Sequence, residues 1–275
     1  MKLGCKMLRR KREMTSFFNK WKIRLYKIIF ICHYYLFHHR RMIEKLSSYG
    51  MSEIKTFDIT QWLRIIRGRK IVRYLYRAQL HGETCFVKVG KKGMFMDNEI
   101  AVNEHINSYN ITFIPRLLIS DKNFDNDKSM IVTEFLTGIR RIVLPNDEKT
   151  FEHICSQLES IHAGLQEIGV IHGDLTAANV LLNEENHIQM IDFGVAWLTN
   201  AEIIEMTRAF GRNYLLSEDV LIYDNAYSFL KLLDNIGISD ERKKTECYRR
   251  LESLVGKHTK VFHYSKSESQ YVCVK

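Results

Sequence analysis

Residues 170–194, which read VIHGDLTAANVLLNEENHIQMIDFG, decide how the fold of this chain is interpreted. Asp174 and Asp192 each follow a short apolar run, and Asn179 lies five residues after the first aspartate. Short apolar runs bounded by turn residues are typical of buried strands, so both aspartates are expected on turns that follow strands. Carboxylate and amide oxygens are the ligands that hard cations such as Mg²⁺ prefer. The stretch therefore predicts a metal-dependent site built from two neighbouring turns.

Phosphoryl transfer is a chemistry that needs such an arrangement. It requires a carboxylate beside the attacking hydroxyl, a divalent cation held by oxygen ligands, and a positive side chain on the nucleotide phosphates. Matched to the recurring parts of protein kinases, Asp174 faces the substrate hydroxyl, Asn179 turns back to the metal, and Asp192 is the main metal ligand. Lys88, near the end of the alternating stretch ETCFVKV, matches the lysine that binds the α- and β-phosphates. The competing interpretation of Lys88 is an edge-strand charge that faces water.

The net charge of the 275-residue chain is +9, and its location matters more than its size. Residues 1–42 hold twelve of the 41 Lys and Arg and a single acid, so the remaining residues have a net charge of −2. A nearly neutral body with one basic arm does not indicate a nucleic-acid-binding protein, and no nucleic acid is expected as a partner. The six cysteines are scattered without a C-x-x-C pair, which favours reduced thiols over a disulfide framework or a zinc site.

The basic arm also carries an aromatic run, LYKIIFICHYYLF, at residues 25–37. A spanning helix needs roughly 20 apolar residues, so this run is too short to cross a bilayer. No small-residue cleavage site follows it, which argues against a signal peptide. We expect residues 1–42 to lie on an anionic membrane surface, and the protein to be cytoplasmic and peripheral to the inner membrane face. Two alternatives are a helix packed on the body and an upstream extension that is not translated, with Met42 or Met51 as the start.

From about residue 54 the apolar pattern predicts strands first and helices later. Three strands are expected with turns at Gly68 and His81–Gly82, then a helix over 94–109, and then two more strands that end near Gly138. The stretch FEHICSQLESIHAGLQEIG predicts a helix that ends at Gly169. Its predicted buried face consists of Ile154, Leu158, Ile161 and Leu165.

The last part of the chain has helix-like segments around 201–210, 217–236 and 240–256, followed by a polar tail. Runs of strands followed by runs of helices are typical of the α+β class. We therefore predict an α+β fold with a basic aromatic N-terminal arm, a strand-rich N-terminal lobe and a helical C-terminal lobe. The predicted bounds of these parts are 1–50, 51–136 and 137–275.

The chain resembles the protein-kinase-like superfamily over roughly residues 62–235. The motifs follow one another in the expected order: a lysine strand, an acidic helix, an E-F-L hinge, H-G-D-x-x-x-x-N and I-D-F-G. The H-G-D triplet is similar to that of aminoglycoside and choline phosphotransferases, lipopolysaccharide-core sugar kinases and the small kinase of the tRNA-threonylcarbamoyl complex. This resemblance implies the two-lobed kinase fold, with ATP and Mg²⁺ as cofactors.

Three features depart from the pattern of eukaryotic protein kinases. Gly173 stands where most of them have the arginine of H-R-D, which usually receives a phosphorylated activation loop. No A-P-E triplet follows Asp192, and no G-x-G-x-x-G precedes Lys88. We therefore expect a turn around Gly68 to cover the phosphates in a different way, and we do not expect switching through a phosphorylated segment that binds an arginine at position 173.

The resemblance also implies residues that bind the nucleotide. The hinge residues Glu134 and Leu136 are expected to present backbone groups to the adenine ring, although Glu134 is also compatible with an exposed hinge charge. A buried Lys88 needs a glutamate from the next helix, and both Glu99 and Glu104 qualify by position. Glu99 is favoured because Val102 and Ile106 continue an inward stripe from it.

Two residues of the loops are expected to be structural. His172 is expected to brace, through hydrogen bonds, the loop of the H-G-D-x-x-x-x-N motif, residues 172–179, which is called the catalytic loop below. Phe193 is expected to pack without taking part in the chemistry.

Three classes of function compete for this chain. The first is a kinase that phosphorylates a hydroxyl of a small molecule or of a sugar in a lipid-linked glycan or lipopolysaccharide. The second is an atypical serine/threonine protein kinase. The third is a non-catalytic nucleotide-binding pseudokinase, and the four intact residues Lys88, Asp174, Asn179 and Asp192 argue against it.

Overall fold

A computed structural model describes residues 25, 39–56, 73–199, 203–204, 214–217, 219–256, 260–268 and 270–274. Gly68, its predicted phosphate-covering turn and most of the basic arm lie outside these residues. The chain divides into two compact units, Met1–Val89 and Gly90–Lys275. The predicted lobe boundary at residue 136 is a different division, and it stays a prediction. Within the described residues, no helix is both long enough and apolar enough to cross a membrane.

The first unit contains one helix and three strands: α1 (Arg40–Ser47), β1 (Met51–Thr56), β2 (Arg73–Leu80) and β3 (Glu83–Lys91), the last of which continues into the second unit. Helix α1 buries Met42 and Leu46, so this end of the predicted arm is a packed helix. Strand β1 pairs antiparallel with β2, which neighbours β3. The turn at His81–Gly82 has positive φ at both residues, as a tight two-residue hairpin requires, and the predicted turn is confirmed there.

The second unit begins with helix α2 (Met94–Asn107) and the antiparallel pair β4 (Leu117–Asp125) and β5 (Lys128–Glu134). Met96 and Ile100 of the helix form an apolar cluster with Ile131 of β5. Val102 and Ile106 belong to the main core of the unit. Helix α2 is therefore buried along two of its faces, which fixes its rotation about its own axis.

Helix α3 (Glu148–Glu167) is the central helix of this unit, and the face predicted from the sequence is confirmed. Asp147 caps its N-terminus, where the carboxylate accepts a hydrogen bond from the backbone N–H of Thr150 at 2.8 Å. Two small sheets accompany it. The elements are β6 (Arg140–Arg141), β8 (Val180–Leu182) and β9 (Ile188–Met190) in the first sheet, and β7 (Val170–Ile171) and β10 (Trp197–Leu198) in the second.

The C-terminal part contains more strand than the sequence predicted. A five-stranded antiparallel sheet has the order β11–β15–β14–β13–β12. Its strands are β11 (Ile203–Ile204), β12 (Leu215–Ser217), β13 (Val220–Tyr223), β14 (Lys260–Ser265) and β15 (Gln270–Cys273). Helices α4 (Asn225–Asn235) and α5 (Glu246–Leu254), with a 3₁₀ turn at Arg242–Lys244, lie between β13 and β14 in the chain.

The prediction of a helix around 201–210 is wrong at Ile203–Ile204, and the prediction of a helix from 217 is wrong up to Tyr223. The predicted polar tail instead forms the hairpin β14–β15. The reason is that alternate residues of these short segments, such as Leu221, Phe262 and Tyr271, point into the core. This alternation of buried and exposed residues depends on pairing with the neighbouring strand. The sequence of a segment of about four residues is too short to reveal it. The α+β class itself is confirmed.

Candidate active site

The β8–β9 hairpin brings the two predicted turns together. Val180 pairs with Met190, and the N–H of Ile191 donates to the carbonyl of Asn179 at 3.0 Å. Asn179, which precedes β8, and Asp192, which follows β9, therefore flank the same end of one hairpin. The two residues predicted from the sequence as metal ligands thus share a rigid backbone support.

Asp174 and Asn179 are joined directly. The amide nitrogen Nδ2 of Asn179 donates to the backbone carbonyl and to Oδ2 of Asp174, both at 2.9 Å. The intervening loop is closed by the carbonyl of Thr176, which accepts from the N–H groups of Asn179 and Val180. Both N–H groups of the amide donate to Asp174. The carbonyl oxygen Oδ1 of Asn179 is therefore the atom left to act as a metal ligand.

His172 links the loop of Asp174 to the loop of Asp192. Its side chain is fully buried, its Nδ1 accepts a hydrogen bond from the N–H of Asp174 at 3.2 Å, and its Nε2 lies 3.0 Å from the carbonyl of Ile191. Because Nδ1 accepts, the proton must be on Nε2, which donates to that carbonyl. Burial lowers the pKa of His172 to about 4, so the ring is neutral near pH 7. The ring of Phe193 packs on it with a centroid distance of 4.6 Å. Both residues thus have the structural roles predicted for them.

Gly173 is required by the close approach of the two loops. Its φ is +81°, and a Cβ placed on it would lie 2.1 Å from the carbonyl oxygen of Val195. No side chain fits at this position, because the obstructing atom is backbone and cannot rotate away. The glycine of H-G-D is therefore a packing requirement, and an arginine there would separate the two loops.

Asn225 is a further residue of the site, and sequence reasoning missed it. This buried residue is the first of helix α4, and its Oδ1 accepts from the N–H of His172 at 3.1 Å and from the hydroxyl of Tyr214 at 2.8 Å. Its Nδ2 donates to the carbonyl of Val170 at 2.9 Å. Asn225 thus holds the backbone on which the catalytic loop begins. The one available signal was an asparagine directly after an N-capping aspartate, Asp224, at the start of an apolar helix.

Asp192 has a φ of +65°, which is uncommon for a residue with a side chain. A conformation of this kind costs on the order of 1–3 kcal/mol and persists only where the surroundings hold it. At Asp192 the backbone is held on both sides, by the N–H and carbonyl of Ile191 and by a turn in which the N–H of Ala196 donates to the carbonyl of Phe193 at 3.0 Å. The positive φ at this predicted metal-ligand position is thus stabilised by hydrogen bonds on either side of it.

The two candidate partners of Lys88 differ in their surroundings. Glu99 is 5% exposed on helix α2, whereas Glu104 is exposed and hydrogen-bonded to the hydroxyl of Ser120 at 2.7 Å, with Lys122 at 3.6 Å. Lys88 is itself buried on β3. A buried amine needs a buried counter-charge, and of the two glutamates Glu99 is the buried one. The pairing itself stays a prediction.

The hinge residues lie where the sequence placed them. Glu134 is the last residue of β5, and its N–H donates to the carbonyl of Arg116 at 3.0 Å. Leu136 follows outside any helix or strand and is partly buried. Their contact with an adenine ring stays a prediction.

The chemistry of the donor set fits a hard divalent cation. Among the described residues, no group of three or more His, Cys, Asp or Glu forms a metal cage. A cation held by one carboxylate, one amide oxygen and the phosphates of a nucleotide needs no such cage, and Mg²⁺ is usually bound in this way. Asp192 and Oδ1 of Asn179 are the residues that would hold it.

Comparison with known protein families identifies the family of this chain. The family model described as "Protein kinase domain" matches residues 84–230, just over half of the chain. The chain belongs to the protein kinase domain family. The match includes the lysine strand, the catalytic loop and the turn of Asp192, so the resemblance seen in the sequence is confirmed.

Individual relatives are distant. The chain is 27% identical over 164 residues to mitogen-activated protein kinase 5 of Arabidopsis thaliana, covering 55% of this chain and 43% of the relative. It is 28% identical over 134 residues to the EKC/KEOPS complex subunit bud32 of Dictyostelium discoideum, covering 44% and 50%. The chain therefore spans half or less of the length of these relatives. A solved structure, the Cydia pomonella granulovirus kinase, is 17% identical and superposes with a TM-score of 0.44, covering 66% of this chain and 64% of that one.

Gly173→Ala should destabilise the protein much more than Gly237→Ala. Both glycines have φ near +80° to +90°, so both alanines carry a strain of about 1–2 kcal/mol. Only at Gly173 does the new Cβ meet backbone, whereas nothing lies within 4 Å at Gly237. We expect the free energy of unfolding, measured in urea, to fall at Gly173 by at least about 2 kcal/mol more than at Gly237. Equal losses at the two positions would contradict the close approach of the loops.

Acid should destabilise the protein through His172. The pKa of about 4 in the folded state is below the value of about 6.5 expected on unfolding, so the unfolded chain binds the proton first. The contribution is fully present above pH 6.5 and is lost as the pH falls toward 4, by about 3 kcal/mol in total. Urea unfolding between pH 7.5 and 4.5 should show a shallower decline for His172→Gln than for the wild type. The exposed control His263→Gln should follow the wild type, and parallel curves for all three proteins would disprove the neutral imidazole.

Proposed function

We propose that this chain transfers the γ-phosphoryl group of ATP to a hydroxyl group, with a divalent cation bound by Asp192 and Asn179. The observation that carries the proposal is the amide of Asn179. This amide donates to Asp174, the predicted catalytic carboxylate. Asn179 also lies at the same end of the β8–β9 hairpin as Asp192. A base and a metal site supported by the same side chain are what phosphoryl transfer requires.

Each residue has a separate part in the proposed reaction. Asp174 orients the acceptor hydroxyl and takes its proton as the oxygen forms a bond to the γ-phosphorus and the bond to the β-phosphate oxygen breaks, which releases ADP. Lys88 binds the α- and β-phosphates. The cation supplies charge stabilisation on the phosphate oxygens, and the hard oxygen ligands favour Mg²⁺. The neutral His172 holds the loop and exchanges no proton with the substrate.

For the acceptor, we propose a small molecule or a sugar of a lipid-linked glycan or lipopolysaccharide at the cytoplasmic membrane face. Support comes from the H-G-D loop, whose glycine leaves no room for the arginine of H-R-D. The basic arm adds to it, because residues 1–42 would hold the enzyme where such acceptors are made.

A serine/threonine protein kinase is the second candidate, and the relatives favour it. They include mitogen-activated protein kinases and a probable serine/threonine-protein kinase of Dictyostelium discoideum. Labelled ATP offered together with a membrane glycan extract and with a protein extract separates the two acceptor classes, because the label moves into the glycan in the first case and into protein in the second.

Asp174→Asn and Asp192→Asn should abolish phosphoryl transfer while the proteins remain folded. Loss of the positioned carboxylate or of the metal ligand should lower the rate by about 10²- to 10⁴-fold. Lys88→Met should lose activity likewise. The matched control is Asp240→Asn, an exposed aspartate outside the site, which should keep the wild-type rate. Initial rates of transfer from labelled ATP provide the measurement, and undiminished transfer to the acceptor by Asp174→Asn would remove the assignment.

Removal of residues 1–38 should prevent binding to anionic membranes. Each basic residue near an anionic surface contributes about 1 kcal/mol, and this attraction weakens as salt screens it. The shortened chain begins at His39, because Met42 and Leu46 are buried in helix α1. A chain that begins at Met51 would lose that packing.

The membrane test is sedimentation with vesicles of phosphatidylserine and phosphatidylcholine at low and high salt. The full chain should sediment at low salt, whereas the shortened chain should stay in solution and keep ATP binding. A full chain with glutamine at Arg9, Arg10, Lys11 and Arg12 is the charge control and should bind more weakly. Equal sedimentation of the full and shortened chains would exclude the arm as the membrane-binding segment.

A further inference from the structure

Of the three consecutive backbone carbonyls of Gly194–Ala196, two are approached by one side chain of helix α2 and the third faces the catalytic loop. The Nδ2 group of Asn98, on helix α2, donates to the carbonyl of Ala196 at 2.7 Å and lies 3.4 Å from that of Gly194. The carbonyl of Val195, between them, packs against Gly173 of the catalytic loop. The backbone just after the metal-ligand position is thus held between helix α2 and the catalytic loop.

Helix α2 is attached to the catalytic loop region at two points on one face. Asn98 and His105 are seven residues apart, which is two helical turns, so they lie on the same side of the helix. Nε2 of His105 lies 2.7 Å from the carbonyl of Ile168, just before β7. Val102, between the two on that face, is buried in the main core. The end of the helix that carries Glu99 is therefore attached to the backbone after Asp192 by Asn98, and its other end is attached by His105 to the C-terminal end of helix α3, before β7.

The contact of Asn98 bears on Asp192 because the backbone there is strained. Gly194 is two residues from Asp192, whose positive φ must be maintained by its surroundings. Beyond Ala196 the chain is held by pairing of β10 with β7. Within Gly194–Ala196, the carbonyls of Gly194 and Ala196 are approached from helix α2 by the amide of Asn98. Without that donor, a partly buried carbonyl loses its hydrogen bond, and the loop gains freedom close to the carboxylate.

We propose that Asn98 is a positioning residue that holds the Asp192 carboxylate in place for the divalent cation. The inference rests on the proposed phosphotransferase function and adds to it a link between helix α2 and the metal site. The link is a neutral amide bonded to backbone carbonyls, so it forms without a phosphorylated side chain. Position 173 likewise has no room for an arginine that would bind a phosphorylated side chain. Both observations indicate that packing and neutral hydrogen bonds hold the loops together.

The test compares Asn98→Ala and Asn98→Asp with Asn107→Ala. The aspartate keeps the volume of asparagine and removes the N–H donor, and Asn107 is an exposed asparagine at the end of the same helix. The probe is ATP with MgCl₂ titrated from zero, and the measurement is the rise in the temperature of unfolding that the ligands cause. The concentration of Mg²⁺ at half of the full rise should increase about 5- to 100-fold in both Asn98 variants and stay unchanged in Asn107→Ala.

A second readout separates positioning from general damage. ATP binding in EDTA should be equal in the wild type and the Asn98 variants, because the proposed role acts through the metal alone. In an Asp192→Asn background, Asn98→Ala should cause no further loss of the response to Mg²⁺, because both changes remove the same function. Asn98→Ser, which keeps a hydroxyl donor, should recover part of the Mg²⁺ response and serves in place of any variant that does not fold.

The outcomes distinguish failure of the proposed phosphotransferase function from failure of the proposed role of Asn98. A wild-type protein whose unfolding temperature does not respond to ATP and Mg²⁺ contradicts the proposed function itself. A wild-type protein that responds, with Asn98 variants that reach half of the rise at the same Mg²⁺ concentration, overturns the role of Asn98. Equal weakening of ATP binding in EDTA and of the Mg²⁺ response also overturns it, because that result shows a merely structural residue.

Discussion

One buried imidazole joins the two turns on which the candidate chemistry depends. His172 accepts a hydrogen bond from the backbone of Asp174 at one nitrogen and donates to the carbonyl of Ile191, next to Asp192, at the other. Only a neutral ring can do both, and burial keeps it neutral by lowering its pKa. The relative position of the two carboxylates is therefore set by a group that carries no charge.

The same design extends to the rest of the site. Three asparagine side chains, Asn98, Asn179 and Asn225, hold backbone carbonyls, a backbone N–H group and a carboxylate of the catalytic region. An amide offers donors and an acceptor without the desolvation cost of a charge. The charged side chains Lys88, Asp174 and Asp192 are the groups proposed to meet phosphates, hydroxyl and cation. A neutral framework of this kind is also insensitive to salt, because screening acts on charges.

Gly173 shows how packing restricts regulation. The catalytic loop and the loop after Asp192 approach so closely that only a residue without Cβ fits between them. A side chain at position 173, including the arginine of H-R-D, would collide with the backbone of Val195. The close approach of the two loops is therefore what excludes that arginine. The loops are held together by packing and by hydrogen bonds between neutral groups.

The C-terminal part of the chain shows where sequence patterns are insufficient. The segments around β13, β14 and β15 are short and contain both aliphatic and polar residues, so they fit a helix or a strand about equally well. Their partners include residues far away in the chain, as in the pairing of Leu221 with Phe262 and of Ile203 with Val272, and this pairing decides that they are strands. On helix α2, by contrast, the apolar stripe through Val102 and Ile106 favoured Glu99 over Glu104, and Glu99 is the buried one of the two.

The sequence by itself determined the α+β class, the buried face of α3 and the hairpin at His81–Gly82. It also predicted Asp174, Asn179 and Asp192 as the site residues, which the β8–β9 hairpin and the Asn179 amide bring together. These features are local, because they depend on spacings of a few residues that backbone geometry converts directly into position. Only the tertiary structure decided the anchoring by Asn225 and Asn98, the need for glycine at 173 and the C-terminal sheet. Each of these depends on atoms that are far apart in the chain, and their meeting is fixed by packing of the whole core, which no local pattern encodes.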